Sequence, residues 1–144
     1  MIEKDTIKLL RECDAGVKMG VASIDDVYDR VSSPKMKDCL NACKDEHDSL
    51  DKEIQVELGR FHDEGKDPNP MIKGMSHMKT GMKMAMEHSD ATIADLMTDG
   101  CNMGVKSLNR YLNQYKAADE KSKDICKRLI NLEERLTHQM REFL

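Results

Sequence analysis

Residues 33–63 read SPKMKDCLNACKDEHDSLDKEIQVELGRFHD, and this stretch decides the fold class. One stripe of side chains recurs in it every three or four positions: Met36, Leu40, Cys43, His47, Leu50, Ile54, Leu58 and Phe61. That spacing places the stripe on one face of an α-helix. Ser33 followed by Pro34 is a typical helix start, because Ser is a preferred N-cap and Pro fits the first helical position. We therefore predict a helix over 34–63.

The same spacing extends to both sides of this helix. It predicts long helices over 4–32, 90–115 and 118–142, with Ser89 and Asp90 as a new helix start. A shorter helix over 70–87 carries methionines along one side, at Met71, Met75, Met78, Met82 and Met86. The prediction is an all-α, antiparallel four-helix bundle in one domain over 1–144. It consists of a helical hairpin (4–63), a Met-rich helix in the crossover (70–87) and a second hairpin (90–142).

Composition agrees with helices that pack aliphatic stripes and solvate the rest. Hydrophobic residues make up 39% and charged residues 35% of the 144, with no Trp and a net charge of -4. Because the two signs are interspersed, no basic patch is available to bind a phosphate backbone, and nucleic acid is not expected as a partner. No catalytic signature such as a glycine-rich phosphate loop, G-x-S-x-G or H-E-x-x-H is present.

The first ten residues carry charges at Glu3, Lys4, Asp5 and Lys8, so they lack the apolar run of a signal peptide or a membrane span. We therefore expect a cytoplasmic protein without a membrane partner. The five cysteines form no C-x-x-C pair, a pattern that favours reduced thiols over a disulfide framework. Cys39 and Cys43 lie one helical turn apart and are either small core residues or a thiolate metal or redox pair.

One six-residue pattern, C-[D/N]-x-G-V-K, occurs twice, at Cys13–Lys18 and at Cys101–Lys106. The match either arose by chance or relates the two hairpins by a pseudo-twofold axis. Gly16 and Gly104 each cost a helix about 1 kcal/mol relative to Ala. Close helix packing is the expected compensation.

The segments RECDAGVKMG (11–20) and DGCNMGVKSL (99–108) resemble an uncharacterised bacterial branch of the ferritin-like superfamily, and the likeness covers essentially the whole chain. The resemblance implies a ferritin-like four-helix bundle with a long crossover. It also implies a di-iron centre in active members, among them ferritins and rubrerythrins, built from one Glu on each of two helices and a Glu-x-x-His pair on each of the others.

The chain departs from that motif. Glu46 is followed at the required distance by Ser49, and Glu134 by Thr137, so neither helix completes a Glu-x-x-His pair. Glu134 and His138 point away from the apolar stripe of their helix and are expected in solvent. These departures predict a bundle without the standard di-iron centre.

His47 is the most informative single residue, because it occupies the apolar stripe of its helix and its ring nitrogens need partners there. Asp14 and Glu133 are the expected inward neighbours. The residues Asp14, His47 and Glu133, helped by Glu46, are the candidate ligands of a metal such as iron or another divalent ion. The alternative is a structural hydrogen bond between His47 and one carboxylate.

The methionine face also has two interpretations. Thioethers with His77 and His88 nearby suit Cu(I), whereas Met71, Met75, Met78 and Met82 also form a deformable apolar surface for packing, for a homo-oligomer or for a protein partner. The favoured function is a non-enzymatic binding or structural role without a cofactor. The competing function is a metal-binding carboxylate/histidine protein for iron oxidation, iron storage or peroxide handling.

Overall fold

The computed structural model describes residues 2–66 and 89–144, and within these ranges the protein is helical, without β-strands. The prediction of an all-α protein with four long helices is confirmed. The helices are α1 (Ile2–Tyr28), α2 (Pro34–Arg60), α3 (Asp90–Gln114) and α4 (Glu120–Met140), followed by a 3-10 turn (Arg141–Phe143).

Side-chain caps begin three of the helices. The Ser33 hydroxyl accepts from the Met36 N–H at 3.2 Å, as the Ser33-Pro34 signal predicts, and Ser89 accepts from the Thr92 N–H at 3.1 Å. Asp119 caps α4 by accepting from the Ser122 N–H. Each cap satisfies a backbone N–H that the first turn of a helix leaves without a partner.

The ends of α3 and α4 lie within two residues of the predicted positions, whereas α1 and α2 end four and three residues early. Helix α1 stops at Tyr28 rather than 32, because the N–H groups of Ser32 and Ser33 donate to the Asp90 carboxylate at 2.8 and 2.9 Å instead of to the preceding turn. Helix α2 stops at Arg60 rather than 63, since His62 adopts a φ of 56° that a right-handed helix cannot contain.

Hydrogen bonds at the helix ends define the topology. Asp90, which begins α3, binds the chain just after α1, so α3 starts where α1 ends. The chain entering α4 binds the start of α1, through the Ala117 N–H to Asp5 and the Asp119 N–H to Thr6. Helices α1 and α4 therefore run in one direction and α2 and α3 in the other. As a result, α2 ends and α3 begins at opposite ends of the bundle.

The helices enclose a core of aliphatic and sulfur-containing side chains. The largest fully buried ones come from all four helices: Leu9, Leu10, Ile24, Met36, Leu40, Ile54, Leu58, Ile93, Ile125, Leu129 and Met140. The predicted stripe of α2 supplies four of them, Met36, Leu40, Ile54 and Leu58. No helix among the described residues has the length and apolar character needed to cross a membrane.

The predicted helix over 70–87 lies outside the described residues. Its methionine face, Met71, Met75, Met78 and Met82, therefore stays a sequence prediction, as do His77 and His88.

Candidate functional site

A buried histidine and a buried glutamate meet at mid-height in the bundle. His47 projects from α2 with 1% of its surface exposed, and Glu133 projects from α4 with 8% exposed. The His47 Nε2–H donates to Glu133 Oε1 at 3.1 Å. The predicted burial of His47 and its predicted contact with Glu133 are both confirmed. This contact joins the two halves of the chain across 86 positions of sequence.

The second ring nitrogen of His47 is engaged as well. Nδ1 lies 2.7 Å from the carbonyl oxygen of Cys43, one turn earlier in α2, and 3.5 Å from the Cys43 sulfur. A ring with acceptors at both nitrogens is best satisfied when both nitrogens carry protons. The surroundings of His47 therefore favour the imidazolium form.

The electrostatics agree with this protonation state. Burial by itself lowers the pKa of His47, but the hydrogen bonds and charges of Cys43 and Glu133 outweigh it and raise the pKa to about 10. At neutral pH the contact is an ion pair of imidazolium and carboxylate. Removing one partner of such a buried pair leaves an uncompensated charge, which is strongly destabilising.

Glycines on the other two helices face this pair. A Cβ added to Gly20 of α1 would lie 2.6 Å from His47 Nε2, closer than two such atoms can approach. Gly104 of α3 faces the Glu133 carboxyl group, with space for a Cβ at 3.7 Å. Gly16 likewise leaves space, 3.6 Å from Leu129. Gly16 and Gly104 do face α4, but the glycine that close packing requires is Gly20.

A second cysteine, Cys101, lies beside the His47–Glu133 pair. Cys101 of α3 is 3% exposed. Burial raises the pKa of the Cys101 thiol. The pKa is raised further by the negative charge of Glu133 and by the hydrogen bond between Glu133 and the thiol. Cys101 therefore carries its proton at neutral pH. Cys13, at the equivalent place in the repeated six-residue pattern, is fully buried as well.

Asp14 is fully buried, as predicted, but its oxygens have other partners. Oδ1 accepts from the Gln55 amide at 2.8 Å, and Oδ2 accepts from the Lys18 ammonium and from the Lys66 backbone N–H, both at 2.9 Å. Gly65, at a φ of 88°, passes so close that a Cβ there would overlap with Asp14. Asp14 thus anchors the loop after α2 to α1.

Glu46 lies on the surface. Its two oxygens accept from one Arg135 nitrogen at 3.0 and 2.9 Å, and the pair joins the outer sides of α2 and α4. Glu134 and His138 are exposed as predicted. Of the four predicted metal ligands, the structure brings together His47 and Glu133, whereas Asp14 and Glu46 bind elsewhere.

These donors do not fit the di-iron centre that the resemblance implies. Such a centre needs carboxylates from all four helices, whereas at the level of His47 helix α1 presents Gly20 and α3 presents Cys101 and Gly104. Both nitrogens of His47 already have partners. Over residues 2–66 and 89–144, no group of three or more His, Cys, Asp or Glu side chains is placed to hold a metal ion.

Sequence reasoning missed Cys43 and Gly20 as neighbours of His47. Cys43 had a usable signal, because it precedes His47 by four positions in one helical stripe. Gly20 had a weaker one, as an isolated glycine within a helical pattern. The Gln55 and Lys66 contacts of Asp14 had none.

Comparisons with known proteins add no relative: no family model, curated protein or solved structure matches the chain.

Proposed function

We propose that this protein is a ferritin-like helix bundle in which a buried ion pair takes the place of the di-iron centre, and that its role is structural or binding rather than enzymatic. The observation that carries the proposal is the full engagement of His47. Its nitrogens contact Glu133 and Cys43, and Gly20 closes the remaining side of the ring.

The order of the helices supports the ferritin-like part of the proposal. Ferritin-like bundles join two antiparallel hairpins by a connection that returns along the bundle. Here α2 ends and α3 begins at opposite ends of the bundle, as that plan requires. A simple up-down-up-down bundle would place these two ends together.

The protonated state of His47 in its pair with Glu133 supports the proposal that the role is not enzymatic. A metal at this position would have to displace a proton from a ring whose pKa is raised to about 10, which works against binding. The pair instead links α2 to α4 and fixes their register. A binding role would fall to the predicted methionine face, through a second copy of the chain or another protein.

Elemental analysis tests the proposal directly. The full chain is purified without chelator or nickel resin, incubated with Fe(II), desalted and compared with His47→Gln prepared in the same way. We expect sub-stoichiometric iron, manganese and zinc in both proteins, since neither offers a complete set of ligands.

The competing function predicts a different result. Near-stoichiometric metal in the wild-type chain that disappears in His47→Gln would overturn the proposal and support a metal-binding protein. Glu46→Gln is the matched control, because Glu46 pairs with Arg135 at the surface and its loss leaves the His47–Glu133 contact in place.

A further inference from the structure

The outer face of α3 carries charges of opposite sign in two separate blocks. Asp95 and Asp99 lie in the first half of the helix, and Lys106 and Arg110 lie in the second half. Between the blocks lies Met103, which is 61% exposed. At about 100° per residue, these positions fall on the side of α3 opposite the residues that it buries in the bundle. Asp99, Lys106 and Arg110 are exposed, and Asp95 is partly exposed.

Local effects within α3 do not explain this arrangement. Asp95 and Asp99 are one turn apart, as are Lys106 and Arg110, and like charges at that spacing destabilise a helix. The helix dipole favours acidic residues in the first turn and basic residues in the last turn. The four charges lie outside these turns, because the helix extends from position 90 to position 114. Within the part of the chain that the structure describes, neither Lys106 nor Arg110 forms an ion pair.

A second copy of the same face supplies the opposite charges. When two α3 helices pack antiparallel about a twofold axis between positions 102 and 103, Asp99 faces Lys106 of the second copy. Asp95 then faces Arg110 of the second copy. Because a helix rises about 1.5 Å per residue, the two pairs lie about 5 and 11 Å from the axis. The symmetry repeats each pair on the other side of the axis. A parallel arrangement would instead place like charges opposite each other.

We propose that the outer face of α3 is a homodimer interface, formed by two antiparallel copies with Met103 beside the twofold axis. Contacts of Asp95 and Asp99 within the chain do not prevent these ion pairs, because an ionised carboxylate has about four acceptor positions. The interface goes beyond the proposed function. It involves neither the His47–Glu133 pair nor the predicted methionine face.

The dimer should be weak and sensitive to salt. One helix per copy buries little surface, so the interface belongs with transient complexes rather than with obligate dimers. Ion pairs at the protein surface are screened by added salt. We expect a dissociation constant of about 10–100 μM at low ionic strength, and binding about tenfold weaker in about 0.5 M salt.

Sedimentation equilibrium of the full chain measures this association, with a reductant present to prevent disulfides between copies. An acidic variant, Lys106→Glu with Arg110→Glu, makes both blocks negative and should stay monomeric. A basic variant, Asp95→Lys with Asp99→Lys, makes both blocks positive and should also stay monomeric. An equimolar mixture of the two variants should dimerise again, because every position then faces the opposite charge.

The matched control changes the net charge without touching α3. Lys52→Glu with Lys127→Glu alters the charge by the same amount as the acidic variant, at exposed positions of α2 and α4. This control should dimerise like the wild-type protein. Circular dichroism checks that each variant keeps its helices.

Crosslinking of the wild-type protein tests the register without substitutions. A carbodiimide joins a carboxylate directly to an amine, so it links only groups that are already in contact. In a mixture of unlabelled and isotopically labelled protein, peptides of mixed label identify links between two copies. We expect a link between Asp99 of one copy and Lys106 of the other. This result does not depend on whether the variants fold.

A wild-type chain that stays monomeric at about 1 mM would overturn the inference. So would a dimer that persists in the acidic variant, or two folded variants that fail to associate when mixed. A dimer that gives no link between Asp99 and Lys106 would refute the proposed register. These readouts are independent of the metal analysis. Bound metal would refute the proposed function, whereas a metal-free monomer would refute only the dimer interface.

Discussion

Glu133 and Asp14 are both buried carboxylates, yet the protein stabilises them in different ways. Glu133 lies between helices and is balanced by the ring of His47, itself 1% exposed. Asp14 lies beneath the loop after α2 and accepts from a backbone N–H, an amide and a partly exposed lysine. The first site joins two halves of the bundle, and the second attaches a loop to one helix.

This difference determines what each site contributes to stability. A charge balanced by another buried charge depends on that one partner, so its loss affects the whole core. A carboxylate that accepts from three separate donors does not depend on any one of them. We therefore expect global destabilisation at Glu133 and local loosening at Asp14.

The largest expected effect follows from removing one member of the ion pair. Glu133→Ala leaves the charged His47 ring buried without its counter-ion, and we expect a loss of about 3–5 kcal/mol of unfolding free energy. The double variant His47→Leu with Glu133→Leu removes both charges and should cost much less. Urea unfolding measures both. Equal losses in the single and double variants would show that the two residues do not act as a pair.

The stability of the wild-type protein should also fall with rising pH. The pKa of His47 is about 10 in the folded protein against 6.5 for an unperturbed histidine, so its contribution is complete below 6.5. Between these values the folded protein keeps a proton that the unfolded chain releases. Stability should therefore fall by about 1 kcal/mol per pH unit. Urea unfolding at several pH values, relative to His47→Gln, isolates this slope, and parallel profiles would contradict it.

A smaller and more local effect is expected at Asp14. Asp14→Ala leaves the Lys66 N–H and the Gln55 amide without their buried acceptor, at a cost of about 1–3 kcal/mol. Amide hydrogen exchange should accelerate at Gly65 and Lys66 far more than in the middle of α4. Uniform acceleration throughout the bundle would place Asp14 in the same class as Glu133.

The smallest expected effect is the change in stability when a glycine that faces His47 is replaced by alanine. Gly20→Ala should destabilise by about 1–2 kcal/mol, because the added Cβ would collide with a ring that two hydrogen bonds hold in place. Gly100→Ala is the control, since nothing lies within 4 Å of its added Cβ, and it should stabilise α3 by up to about 1 kcal/mol. Thermal unfolding measures both changes. If Gly20→Ala stabilised the protein, the His47 ring would not be confined by α1.

Much of the fold could be predicted because its causes are local. Apolar spacing located four helices, and the serine caps at Ser33 and Ser89 placed two helix starts correctly. The early end of α1 could not be predicted, because it depends on Asp90 binding the chain from 57 and 58 positions away.

The site was predictable to the same extent. The apolar stripe of α2 placed His47 inside the bundle, and Glu133 was one of its two expected inward neighbours. Which of the two carboxylates contacts His47 depends on their heights along the bundle axis. The spacing of apolar residues gives the face of a helix on which a residue lies, but not this height. Asp14 faces inward as predicted. However, the α1 residue that faces the His47 ring is Gly20, and Asp14 lies six residues before it along the helix.

The protonation of His47 is the most direct test, because both the ion pair and the exclusion of metal depend on it. Nitrogen-detected NMR of the imidazole ring, between pH 6 and 11, reports the state of each ring nitrogen. We expect both nitrogens to stay protonated up to a midpoint near pH 10, with no change on adding Zn(II) or Fe(II). A neutral ring at pH 7, or loss of one N–H on adding metal, would contradict the proposal.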